Sequence, residues 1–178
     1  KRSLFNGGVG VPALVKWPGV VTPGAVYTQP CSTLDYLPTV MDLLGLTMPD
    51  ARPLDGISLL PLLRGQSTTR GTPIPYRFME RQAAMFGAPT LALMDDRYKY
   101  LTNLSDSGEE DLFFDLLADP GETVNLLPAE SERARQMRDY LVAFMASCRR
   151  SHTGADYPTP YTPTLPFQEL TGTWWPER

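Results

Sequence analysis

Residues Thr90–Thr102, TLALMDDRYKYLT, decide the fold class. Thr90 to Met94 and Tyr98 to Thr102 are short apolar runs, and Asp95-Asp96-Arg97 between them is a turn signal, so the stretch reads as a β-hairpin. In the second run Tyr98 and Tyr100 alternate with Lys99 and Leu101, which makes one face aromatic. Working outward, Ile74 to Met79 is a strand candidate before the hairpin. Leu112 to Leu116 is another after it, followed by the turn Asp119-Pro120-Gly121. Strands in series without helices between them predict a small antiparallel sheet. The strongest helical pattern follows, from Pro128 to Cys148. Ala134, Met137, Leu141, Phe144, Met145 and Cys148 form one apolar stripe, at helical spacing. Glu130 and Glu132 near its start and Arg149 and Arg150 at its end suit the helix dipole. One helix with one apolar face needs the sheet to cover it, so residues 71–150 are expected to form an α+β layer pair.

The chain before this unit reads differently. Gly7, Gly8 and Gly10 break the backbone ahead of Val9, Val11, Leu14, Val15 and Trp17, which read as a mostly buried strand with Pro12 near its start or on an edge. Pro18-Gly19 ends it, and residues 18–30 read as a surface loop. Residues 31–45 predict a helix. Ser32 and Asp35 form a capping box, Leu34, Leu37, Met41 and Leu44 share one face, and Gly45 is a natural stop. Pro38 would cost about 3 kcal/mol in a regular helix interior, so a kinked or restarted first turn is expected. Residues 46–70 are a connector with an Asp55-Gly56 turn, a short apolar segment Ile57–Leu63, and a Ser/Thr-rich linker from Ser67 to Thr69. A domain boundary is expected near Arg70. Residues 151–178 alternate Pro158, Pro160, Pro163, Pro166 and Pro176 with Tyr157, Tyr161, Phe167, Trp174 and Trp175. That composition is incompatible with a helix and suggests a strap laid over another surface.

Composition narrows the function classes. The 178 residues are 42% hydrophobic, enough for a real core, and the net charge is −4. The sequence pI is about 5.0, so the basic footprint of a nucleic-acid binder is absent. No apolar run reaches the roughly 18 residues of a membrane span. Cys31 and Cys148 make no disulfide framework, and either pair with each other or stay free. The start lacks both Met and an apolar signal core, as expected of a trimmed or internal beginning.

The residue types available for chemistry are few. Cys31 before a helix reads as a small residue beside a cap, or as a thiol of lowered pKa. His152, the one histidine, reads as a helix-end or solvent residue. Clustered Cys and His for zinc are missing. Asp106, Glu109, Glu110 and Asp111 form an acidic loop without the alternating ligand spacing of a calcium loop. Asp115, Asp119 and Glu122 flank a turn, and capping bonds account for them. Gly7-Gly8-x-Gly10 lacks the context of a nucleotide loop and reads as a tight turn. Lys1 and Arg2 ahead of that turn are either a frayed terminus or cations facing an anion such as sulfate or phosphate.

Four stretches together resemble a known family. Lys1 to Pro12 is similar to a lysine followed by a Glu-Gly-Gly-x-Arg-x-Pro signature, and PALVKWPG (12–19) to its usual continuation. Pro30 to Gly45 and LDGISLLPLLRG (54–65) match the helix and connector that come next. LFFDLLADPGETVNL (112–126) resembles the closing motif D-L-x-x-D-P-x-E-x-x-N-L. In this order, across residues 1–150, they resemble the C-terminal portion of a type I sulfatase, in the arylsulfatase branch of the alkaline-phosphatase-like hydrolases.

The resemblance implies a large α/β domain in the parent, of which residues 1–70 would be the last segment. Residues 71–150 would be the small C-terminal α+β domain, and 151–178 a tail packed as a strap. It implies hydrolysis of a sulfate ester, on a small molecule or a glycan, with a formylglycine nucleophile and a calcium ion. Lys1 falls on the lysine that contacts the substrate sulfate in the family, and is the one catalytic position carried over. Asn6 and Gly10 stand where the family has Glu and Arg, so that pair is absent. Formylglycine is made within C/S-x-P-x-R, and Cys31 does not qualify, since Thr33 and Asp35 stand in the Pro and Arg places. Nucleophile, metal ligands and catalytic histidines would therefore lie upstream, in the N-terminal catalytic portion that is this chain's implied partner. No residue here is expected to bind the metal, and the chain alone is expected to be inactive. Family resemblance is compatible with a periplasmic or extracellular parent. Two other readings share these features: a related phosphodiesterase or phosphonate hydrolase, and a non-enzymatic structural or glycan-binding module using the aromatic tail. Reading the polypeptide encoded ahead of Lys1 checks the class. A C/S-x-P-x-R segment is expected there, and its absence from the full-length sequence contradicts the reading.

Overall fold

The computed structural model describes residues 3–48, 53–78, 88–104, 110–127, 129 and 131–156. Its centre is an antiparallel sheet of β1 (Ile74–Arg77), β2 (Leu91–Met94), β3 (Tyr98–Thr102) and β4 (Leu112–Asp115), in that spatial order. The expected hairpin is present, with Leu93 opposite Tyr100 and Met94 opposite Lys99. No glycine closes it. Asp95 does so with its side chain, Oδ1 accepting from the N–H groups of Arg97 at 2.8 Å and Tyr98 at 2.5 Å, the local capping that suits Asp to turns.

Alternation along the strands gives the sheet two apolar faces. Leu91, Leu93, Tyr100 and Phe113 face a helix, α4 (Ser131–His152), and pack on its Ala134, Met137, Leu141 and Met145. Tyr98 stacks on Phe113 with ring centroids 5.2 Å apart. The opposite face carries Ala92, Leu101 and Phe114, and is covered by Leu4, Phe5 and Val9 from the start of the chain. The α+β layer pair expected for the C-terminal part is thus observed, with a second cover from the N-terminal segment. The helix runs four residues beyond Cys148, and Phe144 is only half-buried at the edge of its stripe.

That N-terminal cover corrects the strand expected at Val9–Trp17. Residues Asn6–Val9 form one helical turn, α1, and residues 10–17 have no regular structure. Leu14 is 99% exposed, and Val11 and Val15 are also exposed. A strand exists only where a neighbour takes its N–H and C=O groups, and none lies beside this run among the described residues.

The helix expected at 31–45 forms as predicted at both ends. Asp35 Oδ2 accepts from the Ser32 N–H at 2.7 Å, and Ser32 Oγ accepts from the Leu34 N–H at 3.3 Å. Thr33–Asp35 is a 3₁₀ turn, and the α-helix restarts as α2 (Tyr36–Leu44). The restart accommodates Pro38, which becomes the third residue of α2. There a backbone N–H would have no acceptor within the α-helix. Gly45, with φ 64°, stops the helix. Gly56 packs against this N-terminus, where a Cβ would lie 2.0 Å from the Leu34 carbonyl oxygen; only glycine allows the approach. The following segment holds α3 (Leu60–Leu63), with Leu60 and Leu62 buried. The apolar side chains Leu34, Leu37 and Leu44 of the 3₁₀ turn and α2 remain exposed.

Leu141 is fully buried between α4 and the sheet. Leu141→Ala is therefore expected to cost about 2–5 kcal/mol. Urea unfolding checks this, and Val142→Ala on the exposed side of the same turn should change little.

Candidate functional site

Strand alternation turns Lys99 to the face opposite Tyr98 and Tyr100, the side covered by the N-terminal segment. Its side chain is 0% exposed. Glu122, 3% exposed, meets it with Oε1 2.8 Å from Nζ. Asn6 completes the group. Lys99 Nζ donates to Asn6 Oδ1 at 3.1 Å, the Asn6 backbone N–H donates to Glu122 Oε2 at 2.6 Å, and Asn6 Nδ2 donates to the Pro120 carbonyl at 3.1 Å. Burial pushes the Lys99 ammonium below its ordinary value, and the hydrogen bond and charge of Glu122 oppose the shift. Desolvating two charges costs several kcal/mol per ion, and remaining lone pairs and protons must be satisfied. Here each carboxylate oxygen has a donor, and the ammonium has two acceptors.

Glu122 has φ 56°. That left-handed conformation is unfavourable for a side chain with a Cβ and persists where surroundings over-determine it. The loop of the DPGETVN segment delivers it. Asp119 Oδ2 accepts from the Thr123 and Val124 N–H groups at 2.6 and 2.8 Å. Asn125 Oδ1 accepts from the Phe113 and Leu127 N–H groups at 3.0 and 3.1 Å, tying the loop back onto β4. Asp115 accepts from Arg97 Nη2 at 2.6 Å and from the Leu117 and Ala118 N–H groups. Arg97 and those amides hold Asp115 below the usual carboxylate value against burial. The amide of Val124, with Thr123 and Gly121, does the same for Asp119. Capping thus accounts for Asp119 as expected, whereas Asp115 both caps its turn and pairs with Arg97, and Glu122 reaches across to Lys99.

A second buried group fixes residues 32–71. Arg70, expected at a domain boundary, is buried and forks onto Asp35, with Nη1–Oδ2 2.6 Å and Nη2–Oδ1 2.9 Å. Asp35 Oδ1 also accepts from the Ile57 N–H at 2.9 Å. Arg70 Nε donates to the Thr72 carbonyl, and Asp96 in the hairpin accepts from the Arg70 and Gly71 N–H groups. Burial alone would raise the Asp35 carboxyl; Arg70 and the amides of Ile57 and Ser32 outweigh it and hold the carboxyl below its ordinary value.

The other candidates are placed plainly. Lys1 and Arg2 lie outside the described residues, as do residues 105–109 of the acidic loop and the aromatic tail 157–178. Asp111 accepts the Tyr100 hydroxyl hydrogen bond in the sheet–helix core. Burial and that carboxylate push the Tyr100 phenol well above its ordinary value. Cys31 and Cys148 are free thiols, and burial raises that of Cys148. His152 is the last residue of α4, and Gly10 follows α1, its N–H donating to the Asn6 carbonyl at 2.8 Å. Among the described residues no group of three or more His, Cys, Asp or Glu side chains is placed to hold a metal ion. Nor, among them, is any helix long and apolar enough to cross a membrane. Lys99 and Glu122 were missed as a pair by the sequence reading. The available signal was a lysine set between Tyr98 and Tyr100 in a strand that continues with Leu101.

This geometry fits the motif order noted in the sequence, and comparison with known proteins gives the family. Residues 1–149 match the model of the family described as N-sulphoglucosamine sulphohydrolase, C-terminal, and the chain belongs to that family. It is 36% identical over 145 residues to a choline-sulfatase of Rhizobium meliloti (strain 1021), covering 81% of this chain and 26% of that protein. It is 34% identical over 155 residues to arylsulfatase A of Bos taurus, covering 75% of this chain and 29% of the relative. A solved structure described as a 2-O GAG sulfatase is 26% identical, with TM-score 0.46, over 75% of this chain and 30% of that one. The chain spans under a third of the length of each of these relatives.

Removing one member of the Asp35–Arg70 pair leaves an uncompensated buried charge. Arg70→Met is expected to cost about 3–5 kcal/mol, and adding Asp35→Asn should recover part of it. Because the folded state holds the Asp35 carboxyl below its ordinary value, the stability it contributes is whole above the ordinary carboxylate range. It is lost as pH falls through the folded value, since the unfolded chain then binds the proton more readily. Urea midpoints followed from about pH 6 to about pH 2.5 should fall more steeply for the wild type than for Asp35→Asn.

Proposed function

We propose that these residues are the C-terminal part of a sulfuric ester hydrolase whose nucleophile and metal ligands lie upstream. The observation that carries this reading is the family model's match across residues 1–149. The choline-sulfatase and arylsulfatase A likenesses support it. In the parent, residues 1–70 would close a large α/β domain of the alkaline-phosphatase-like kind, and residues 71–150 would form the small domain beside it.

The exposed apolar residues support the missing partner surface. Val11, Leu14, Val15, Leu37 and Leu44 lie bare, and burying each returns about 1.5–3 kcal/mol. The upstream catalytic portion of the same polypeptide is the occupant we assign to them.

Lys1 would supply a positive charge to the sulfate group, where a fixed cation stabilises charge that grows during S–O bond cleavage. Calcium and formylglycine, which the family resemblance implies, would be supplied by the upstream portion of the polypeptide. The chain's own contribution is to complete the pocket wall and orient Lys1. The substrate would be a sulfate ester of a small molecule or glycan.

Steady-state turnover by the full-length protein on aryl sulfate, aryl phosphodiester and aryl phosphonate tests this reading. Aryl sulfate is expected to be preferred, and Lys1→Ala should cut its kcat/KM by roughly 10²-fold. Residues 1–178 alone are expected to show no turnover. Preference for phosphodiester or phosphonate, absence of hydrolysis by the full-length protein, or formylglycine-dependent turnover by the 178 residues alone would each overturn it.

A further inference from the structure

Residues 3–10 lie on the sheet without joining its strands. The N–H groups of Gly8 and Val9 donate to the Phe5 carbonyl at 2.8 and 3.1 Å, and that of Gly10 to the Asn6 carbonyl at 2.8 Å, so these bonds close inside the segment. The turn is compact. A Cβ on Gly8 would lie 2.0 Å from the Ser3 carbonyl oxygen. Side chains make the attachment. Leu4 is buried and Phe5 and Val9 are half-buried against Ala92, Leu101 and Phe114. Asn6 Oδ1 accepts from Lys99 Nζ at 3.1 Å, and the Asn6 N–H donates to Glu122 Oε2 at 2.6 Å. The larger core lies on the other face of the sheet, where Leu91, Leu93, Tyr100 and Phe113 pack on α4, and residues 3–10 take no part in it. Beyond Gly10 the chain has no regular structure to residue 17, and Val11, Leu14 and Val15 are exposed. Residues 3–10 are thus a compact unit, bordered by irregular exposed chain and separable from the sheet–α4 core. Units of that kind open locally at a lower free energy than the whole fold.

The two charges beneath this cover decide how firmly it closes. Lys99 is 0% and Glu122 3% exposed. Ions taken out of water carry a desolvation cost, which pairing repays only with good geometry and full hydrogen bonding. Closed, the pair meets both conditions through Asn6. Open, both charges regain water, and an exposed pair contributes little either way. The cover is therefore held by apolar burial and opposed by the desolvation it imposes. Burial lowers the Lys99 ammonium below its ordinary value in spite of the Glu122 bond, which is the same cost felt at one group. Loss of either partner leaves the other charge dry and unpaired. Lifting residues 3–10 relieves that charge and leaves the core on α4 intact.

We propose that residues 3–10 are a hinged cover that lifts from the sheet as one unit, and that the Lys99–Glu122 pair, completed by Asn6, is the charge-balanced clasp that keeps it closed. The device belongs to the fold itself and does not rest on the sulfatase reading.

Hydrogen–deuterium exchange of the full-length protein at about pH 6, well below the ordinary lysine range, tests this. In the wild type, peptides spanning residues 3–10 are expected to exchange at least about 10²-fold faster than those of β2 and β3. Glu122→Gln leaves the Lys99 charge without a counter-ion. It should remove most of the cover's protection while β2, β3 and α4 stay protected. Lys99→Met/Glu122→Gln removes the remaining charge and keeps an acceptor for the Asn6 N–H, so protection of the cover should return to within about ten-fold of wild type. Asn6→Ala deletes one acceptor of the ammonium and is the milder variant should Glu122→Gln not fold. Exchange of residues 3–10 is then expected to rise about ten-fold, with the sheet unchanged. Residues 3–10 exchanging at the rate of the sheet in the wild type would overturn the separate cover. Unchanged exchange of the cover in Glu122→Gln or Asn6→Ala, or a neutral double variant as open as Glu122→Gln, would overturn the clasp.

Discussion

A lysine ammonium with no exposed surface sits in a face otherwise made of Ala92, Leu101 and Phe114, and the structure depends on meeting its charge. Glu122 does so from a loop 23 residues further along the chain. For that loop to arrive, Asp119 must turn it, Asn125 must return it to β4, and Glu122 must accept a left-handed backbone. For the remaining proton acceptor, Asn6 must lie over the same face, which brings Leu4 and Phe5 onto the sheet. One buried charge therefore couples the beginning of the chain to the closing loop. An ion pair so placed is weak as a source of net stability and strong as a specification of geometry, because every mismatched arrangement leaves a charge unpaired.

The Asp35–Arg70 pair applies the same logic to the other half. Its bidentate geometry fixes the angle of the guanidinium as well as its distance. Through it the capping turn before α2, the Gly56 approach and the β2–β3 turn share one set of hydrogen bonds. The two buried pairs flank the sheet's path between residues 70 and 122. Apolar packing on α4 supplies the bulk of the core, and the pairs decide how the irregular segments attach to it.

Much of this was legible in the residues, for local reasons. The hairpin at 90–102 and the helix through Leu141 are set by period and turn chemistry, which short windows contain. The capping box at Ser32 and Asp35 and the restart at Pro38 are likewise local. The segment Val9–Trp17 was misread because a strand is defined by its neighbours, and its composition alone does not provide one. The alternation of Tyr98 and Tyr100 with Lys99 and Leu101 marks one aromatic face and leaves the environment of Lys99 open. Its burial follows from the cover by Leu4 and Phe5, a contact of about 95 residues' separation that no local pattern encodes. Glu122 was explained too readily by its turn, since nothing in the spacing distinguishes a capping carboxylate from one reaching a distant lysine. The motif order from Lys1 to Leu126 carried the family, and the geometry gives those motif residues their work: Gly56 for close approach, Asp119 and Asn125 for the loop, Glu122 for the buried pair.

The claim we propose as central is that these residues complete a sulfatase whose catalytic portion lies upstream, with Lys1 at the substrate sulfate. A crystal structure of the full-length protein with inorganic sulfate in its active site tests it most directly. The account predicts Lys1 Nζ at about 3 Å from a sulfate oxygen, Asn6 still bound between Lys99 and Glu122, and the apolar face of α2 covered by the upstream domain. A sulfate held entirely by other residues, with Lys1 turned to solvent while Asn6 keeps its place, would contradict it.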